Sequence, residues 1–426
     1  MKKVLGALVL LFLVFFHIYP QALPVFGYSF IFASGLIGLA FYFFNGRSFP
    51  EIVSISLAYA PFVVVSFVAG YMNFGLPEYL WSNTKSQFAW LFSAYLIVFL
   101  FFYIHPKGNY TKLLSYVAIA VLIQGVISIA MYQDPAINNF FTSIQMADAL
   151  ALYKRELTEG ERLLGYGTAF FGAGIIYGTT LILIMIIILK QRLNLFGVIL
   201  WGAIYCFVFF VGLLSARTTL VGLGVSIALA IFLIFMNKTS RKGQFFKFLA
   251  ISVAFASIGY TMCYVYFPEF ADWAFEAFIN YQETGEFSTQ SSDSLQYMFI
   301  FPRTFHQWLF GIGTMNFIGT DVGYSRLLFY GGVPALLSFF FFQLYLVKSA
   351  FTRDFAQNIA MISLMVYSLL LNIKGLADVN SFLYIIIVYF LYYKYFIYTP
   401  QLYKLEKLNS NKLHYSLQSP SPDRRG

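Results

Sequence analysis

The sequence predicts an all-α protein, a polytopic transmembrane helical bundle of about 12 helices with two long loops on its outer face. Hydrophobic residues make up 60% of the 426 positions and charged residues only 11%, and the mean hydropathy is +0.73. Soluble domains carry about 25% charged residues, so this chain lacks the polar surface that solubility needs. The short alternating segments typical of a membrane β-barrel are not seen.

Each predicted helix is an apolar stretch near the roughly 20 residues that cross a hydrocarbon core. The twelve stretches cover 4–23, 28–44, 52–72, 88–104, 113–131, 169–189, 195–214, 218–236, 248–267, 324–347, 359–371 and 382–397. The first follows Lys2 and Lys3 but lacks a small-residue cleavage site, so we interpret it as a retained helix. Residues 1–399 then form one transmembrane domain, and the polar segment 400–426 is predicted to be a disordered cytoplasmic tail.

Orientation is predicted from the basic residues, which concentrate on the cytoplasmic side of membrane proteins. With both termini in the cytoplasm, the inner side holds 19 of the 27 basic and 4 of the 18 acidic residues. The inner side then carries a net charge of +15 and the outer side −6. The formal net charge of +9 therefore reflects membrane orientation and anionic lipid, and predicts no nucleic-acid partner.

Two predicted outer loops, 132–167 and 268–323, are too long to be simple connections. Each includes a stretch with an apolar side, 144–157 and 273–281, that we expect to be helical and to lie along the membrane interface. Long loops on a membrane scaffold are where function usually resides, so we expect the site there.

Several charged residues on the outer side lie against apolar sequence near helix ends, where charge is costly and indicates a cavity or a partner. Arg217 occupies an outer turn with almost no other polar residue, although a snorkelling arginine is the alternative. Asp321 and Arg326 are five residues apart, which is off the ideal spacing for a helical ion pair. Lys374 and Asp378 are four apart, and a structural ion pair competes with a functional role. The candidate residues on this side are Arg162, Arg217, Arg303, His306, Asp321, Arg326, Lys374 and Asp378.

The residue types favour anion binding without a metal. Guanidinium groups grip phosphate or carboxylate with two hydrogen bonds, and fixed arginines can stabilise a developing anionic charge. No set of His, Cys and carboxylates has metal-ligand spacing, and Cys206 and Cys263 lie in apolar runs as expected of buried residues. We therefore predict no metal and no cofactor. Asp321 is the leading candidate for a base, and His306 is the second.

Five segments of the sequence together resemble bacterial O-antigen and capsule polymerases of the Wzy type. The segments are Arg162-Leu-Leu-Gly-Tyr-Gly-Thr-Ala-Phe-Phe-Gly-Ala-Gly, Leu214-Ser-Ala-Arg-Thr, Gly311-Ile-Gly, Asp321-Val-Gly-Tyr-Ser-Arg-Leu-Leu-Phe-Tyr-Gly-Gly and Lys374-Gly-Leu-Ala-Asp. Their order and spacing carry the resemblance, since each one alone is common. The related O-antigen ligases share an outer-turn arginine, matched by Arg217, and an arginine ahead of Gly-x-Gly, matched by Arg303.

The resemblance implies a metal-independent glycosyltransferase that polymerises undecaprenyl-diphosphate-linked repeat units at the outer face of the bacterial inner membrane. Arg217 and Arg303 would bind the diphosphate, and Arg162, Arg326 and Lys374 would assist. Asp321 would orient or deprotonate the acceptor hydroxyl, in the region where the ligases have a histidine. The implied partners are the lipid-linked glycan donor and acceptor, membrane lipid and a chain-length regulator protein.

Three alternatives stay open on sequence alone. An O-antigen ligase would use the same donor with a different acceptor, and Asp321 in place of a histidine favours the polymerase. A flippase or exporter of lipid-linked sugar would carry charges deep within its helices and often internal repeats. A structural membrane scaffold would leave the outer arginines unexplained.

Overall fold

A computed structural model of the chain describes residues 2–75, 78–147, 162–168, 170–236, 241–286, 288–315 and 318–398. These residues form an all-α bundle, which confirms that the fold is all-α. The predicted tail, 400–426, and most of the predicted helix at 144–157 lie outside the described residues. The only strands among the described residues are Pro24–Val25 and Tyr28–Ser29, which pair antiparallel as a small hairpin.

The described helices are numbered here in chain order. They are α1 (Lys2–Ile18), α2 (Phe30–Phe44), α3 (Glu51–Met72), α4 (Glu78–Ile104), α5 (Tyr110–Gln133), α6 (Pro135–Ser143), α7 (Phe170–Lys190), α8 (Leu195–Ser215), α9 (Thr219–Phe235), α10 (Lys242–Tyr266), α11 (Pro268–Thr284), α12 (Gln290–Met298), α13 (Phe305–Phe310), α14 (Gly323–Ser349), α15 (Phe355–Leu371) and α16 (Asn380–Tyr392). A π-helical segment, Tyr393–Tyr398, continues α16.

Eight helices among the described residues are long and apolar enough to cross a membrane, namely α3, α4, α5, α7, α8, α10, α14 and α16 with its π-helical extension. Four shorter apolar helices, α1, α2, α9 and α15, cover the other predicted spans. Each of the twelve predicted stretches therefore contains a helix, while the number of membrane crossings stays a prediction. The predicted fourth stretch was too short, because α4 begins at Glu78 and includes polar residues that hydropathy alone left out.

Close helix packing around α7 holds one end of the bundle together. The Cα of Gly178 on α7 would lie only 2.3 Å from a Cβ added at Gly222 of α9, and a Cβ at Gly174 would meet the Thr218 hydroxyl at 2.0 Å. Small residues permit such close backbone approach between membrane helices, where packing replaces the hydrophobic effect. The contact fixes the turn between α8 and α9 against the start of α7.

A kink divides α14, with non-helical backbone at Gly331 and Gly332 ahead of Pro334. Proline has no N–H, so the carbonyl of Tyr330, four residues before it, loses its helical donor. The Gly313 N–H donates to that oxygen at 3.1 Å, beside a bond from Ile312 to the Phe329 carbonyl. The Gly-x-Gly segment therefore satisfies backbone groups that the kink leaves open, as membrane structures require.

Candidate functional site

Loops from several parts of the chain meet at one end of the bundle around a cavity of about 610 Å³. The cavity is lined by the loop after α1, the segment before α7, the turn between α8 and α9, helices α11 and α12, the start of α14 and the loop between α15 and α16. These are the segments that the sequence assigns to the outer face. Their lining residues include Arg162, Arg217, Asp321, Arg326 and Lys374, so the structure brings together five of the eight candidates. We call this space the cationic cavity.

Arg217 occupies the short turn between α8 and α9. The turn is held by backbone bonds from the Thr219 N–H to the Ala216 carbonyl and from the Leu220 N–H to the Arg217 carbonyl, both at 3.0 Å. The Arg217 side chain is only 10% exposed, and its Nη2 lies 2.5 Å from Oε2 of Glu276 in an ion pair. Arg217 is therefore a fixed cation in the wall of the cavity, which a freely snorkelling side chain would not be.

Arg162 is held beside the same turn by the chain that follows it. The Leu163 N–H donates to the Leu214 carbonyl at the end of α8, at 3.0 Å. The Arg162 guanidinium carbon lies 5.2 Å from the ring centre of Phe170 and 4.9 Å from that of Trp273. Two arginines far apart in sequence thus approach the same tryptophan.

Helix α11 supplies that tryptophan and an acidic partner. The helix begins at Pro268, a residue suited to a first turn, and ends at Gly285 with φ of +79°. Trp273 contacts Arg217 at 4.2 Å from the ring centre to the guanidinium carbon. Glu276, one turn further, binds Arg217 through one oxygen and accepts from the Gln290 N–H of α12 through the other, at 2.9 Å.

Lys374 reaches the cavity from the loop between α15 and α16. The Asn372 side chain ties this loop by donating to the carbonyls of Ser368 and Ala377, each at 2.8 Å. The Lys374 Nζ donates to the Ser291 hydroxyl of α12 at 2.8 Å. The pKa of Lys374 is lowered to about 8, first by burial and then by the charges of Arg217 and Arg162, while Asp321 acts in the opposite direction. This direction is the one expected where several cations share a poorly hydrated space.

Asp321 and Arg326 line the cavity at the start of α14 without forming an ion pair with each other. Val322 occupies the N-terminal capping position of α14 and makes no side-chain capping bond. Asp321 is therefore not the cap of this helix. Asp321 is exposed and is the only acidic residue among the described lining residues. Arg326 donates from Nη2 to the Met315 carbonyl at 2.6 Å.

The structure does not bring Arg303, His306 or Asp378 to the cavity lining. Arg303, ahead of α13, and His306, on α13, are both exposed, and the His306 ring packs 5.2 Å from that of Phe310. Asp378 accepts from the Asn380 N–H at 3.0 Å, burial raises its pKa, and it forms no ion pair with Lys374, whose bond goes to α12. A residue close in sequence to a cavity-lining residue, as Asp378 is to Lys374, therefore need not line the cavity itself.

Sequence reasoning missed the roles of Trp273, Glu276 and Ser291. The apolar side of 273–281 was recognised, and α11 covers that stretch, but nothing in the sequence pairs its residues with particular cations. Within the described part of the chain, no group of three or more His, Cys, Asp or Glu residues is placed to hold a metal ion. The arrangement can bind an anion with two or more charges and offers one carboxylate as a proton acceptor.

The fold and the cavity define a multi-pass helical membrane protein with a cationic site at one end of its bundle. Comparison with models of protein families, with curated proteins and with solved structures found no match to this chain.

Proposed function

We propose that the protein is a metal-independent membrane glycosyltransferase that polymerises undecaprenyl-diphosphate-linked repeat units into O-antigen or capsular polysaccharide. The observation that carries the proposal is the convergence of Arg162, Arg217, Arg326 and Lys374 with Asp321 around one cavity. Its volume of about 610 Å³ is within the range of ligand pockets, roughly 300–1,000 Å³. A diphosphate and the sugars beside it need a space of this order.

Charge supports a diphosphate as the bound group. Among the residues that the structure describes, the four lining cations, Asp321 and the Glu276 paired with Arg217 sum to a charge of +2. A diphosphate esterified at both ends carries two negative charges, so the cavity balances it. When the sugar leaves, the diphosphate gains negative charge, and fixed cations in a poorly hydrated space stabilise that change most.

The proposed reaction breaks the bond between the donor sugar's anomeric carbon and the diphosphate oxygen, which keeps the electron pair. A bond forms between that carbon and the acceptor hydroxyl oxygen, and the hydroxyl proton passes to the Asp321 carboxylate. Arg217 and Arg162 hold the diphosphate, with Arg326 and Lys374 adding positive charge. The role of Arg303 in the diphosphate site stays a prediction from the resemblance.

The proposed location is the bacterial inner membrane with both termini in the cytoplasm and the cavity facing outward. The charge difference of +15 against −6 supports it. Reporter fusions after Glu286 should give an outer signal, and fusions after Lys242 a cytoplasmic one. A cytoplasmic signal from the Glu286 fusion contradicts the proposed location of the site.

Glycan analysis of a deletion strain tests the reaction. A polymerase predicts surface glycan carrying a single repeat unit, restored to full length by the wild-type gene. Absence of surface glycan with accumulation of lipid-linked polymer would instead identify the ligase. Complementation with Asp321→Asn should fail to restore chain length, since asparagine cannot accept the proton. Asp293→Asn, an exposed aspartate outside the cavity lining, should restore it.

A further inference from the structure

Trp273 is the point at which the two arginines nearest the α8–α9 turn meet. Its ring centre lies 4.2 Å from the guanidinium carbon of Arg217 and 4.9 Å from that of Arg162. The residue lines the cationic cavity and is half-buried. One indole therefore contacts two cations that come from segments more than 50 positions apart.

Two guanidinium groups on one ring need a reason to stay together, because like charges repel most where water is scarce. The negative face of an indole attracts cations more strongly than any other side-chain ring does. Glu276 offsets one of the charges through Arg217, and Phe170 gives Arg162 a second ring. Trp273 touches both arginines.

The backbone of α11 fixes the position of this ring. Phe270, Ala271, Ala274 and Phe275, which surround Trp273 in sequence, are buried. The helix packs on α10 and on α8, the helix that leads into the Arg217 turn. The Trp273 indole is thus anchored beside α8, the helix that leads into the turn carrying Arg217. A ring held in this way can fix the positions of the side chains packed on it.

We propose that Trp273 is a positioning residue that holds Arg162 and Arg217 at the spacing needed to grip one diphosphate group between them. The inference rests on the proposed function for its physiological ligand, but the anion site itself is tested without any glycan. Trp273 acts through the two arginines, and α11 is part of the binding site.

The test compares Trp273→Phe with Trp273→Leu in the full-length protein reconstituted in lipid nanodiscs, with binding of inorganic pyrophosphate measured by calorimetry. Leucine keeps an apolar side chain but has no π face, whereas phenylalanine keeps a ring. We expect roughly tenfold weaker binding for leucine and two- to threefold for phenylalanine, because cation–π attraction accounts for the difference. Trp308→Leu, on α13 outside the cavity lining, is the matched control and should bind as the wild type does.

Equal losses in the phenylalanine and leucine variants would show that Trp273 only fills space and would overturn the proposal. Unchanged binding in both, or no binding by the wild type, would overturn it as well. If the leucine variant fails to reach the membrane, the smaller loss in Trp273→Phe decides alone, with unchanged affinity counting against the proposal. Polymerisation is measured separately, so pyrophosphate binding that depends on Trp273 without any polymerising activity supports this inference while refuting the proposed reaction.

Discussion

Replacing Glu276 by glutamine removes the carboxylate that lies on Arg217 while keeping the size of the side chain. In the structure one Glu276 oxygen is 2.5 Å from Arg217 Nη2, and the other accepts from the Gln290 N–H at 2.9 Å. Glutamine retains an oxygen for the second contact. The substitution therefore changes the charge of the anion site, from a net +2 to +3, with little change in packing.

The size of the effect follows from the distance between the carboxylate and a bound anion. An anion on the other side of the guanidinium lies about 6 Å from the Glu276 carboxylate, where two unit charges interact by about 2.8 kcal/mol at an effective dielectric constant near 20. Glu276 is 26% exposed, so water screens part of this repulsion, and we reduce it by about half. A gain of about 1.4 kcal/mol corresponds to roughly tenfold tighter binding.

Calorimetry of inorganic pyrophosphate binding to the full-length protein in nanodiscs measures this effect. Glu276→Gln should bind roughly tenfold more tightly than the wild type, and added salt should reduce the difference. Glu283→Gln makes the same chemical change on an exposed part of α11 and should leave the affinity unchanged. Equal or weaker binding by Glu276→Gln would refute the reasoning, because it would mean that the carboxylate holds Arg217 in place more than it opposes the anion.

Three further predictions test the cavity and its support. Sulfate affinity should fall as pH rises through about 8, the lowered pKa of Lys374, because the ammonium loses its charge. Arginine keeps its charge at this pH, so Lys374→Arg should remove the pH dependence in the same binding assay. Gly222→Ala should lower the thermal unfolding temperature, because its Cβ would lie 2.3 Å from the α7 backbone and overpacking costs about 1–3 kcal/mol. Gly224→Ala places its Cβ in open space and should leave the unfolding temperature unchanged. Arg217→Lys should lose at least tenfold in pyrophosphate affinity because lysine lacks the planar fork. Arg303 is exposed and outside the cavity lining, so Arg303→Lys should lose less; a loss as large as that of Arg217→Lys would support the place in the diphosphate site that the resemblance gives to Arg303.

The sequence by itself determined that the fold is all-α and where most of the long apolar helices lie. Helix formation in a membrane follows from local composition, since an apolar stretch of about 20 residues must satisfy its own backbone bonds. The α5, α8 and α9 bounds therefore agree with the predicted stretches to within three residues at either end. Charged residues in apolar surroundings are equally visible in sequence, and this signal identified Arg217, Arg162 and Lys374.

Only the tertiary structure decided which of those charges share a space. Arg303 and Asp378 have the same local signal as Arg217, yet neither lines the cavity, because the fold of the loops sets their positions. Trp273 and Glu276 carry no local signal, since aromatic and acidic residues are common in loops. Their place in the site depends on the packing of α11 beside α8, which brings one indole to two guanidinium groups. Distances between segments remote in sequence depend on packing, and a pattern along the chain does not contain them.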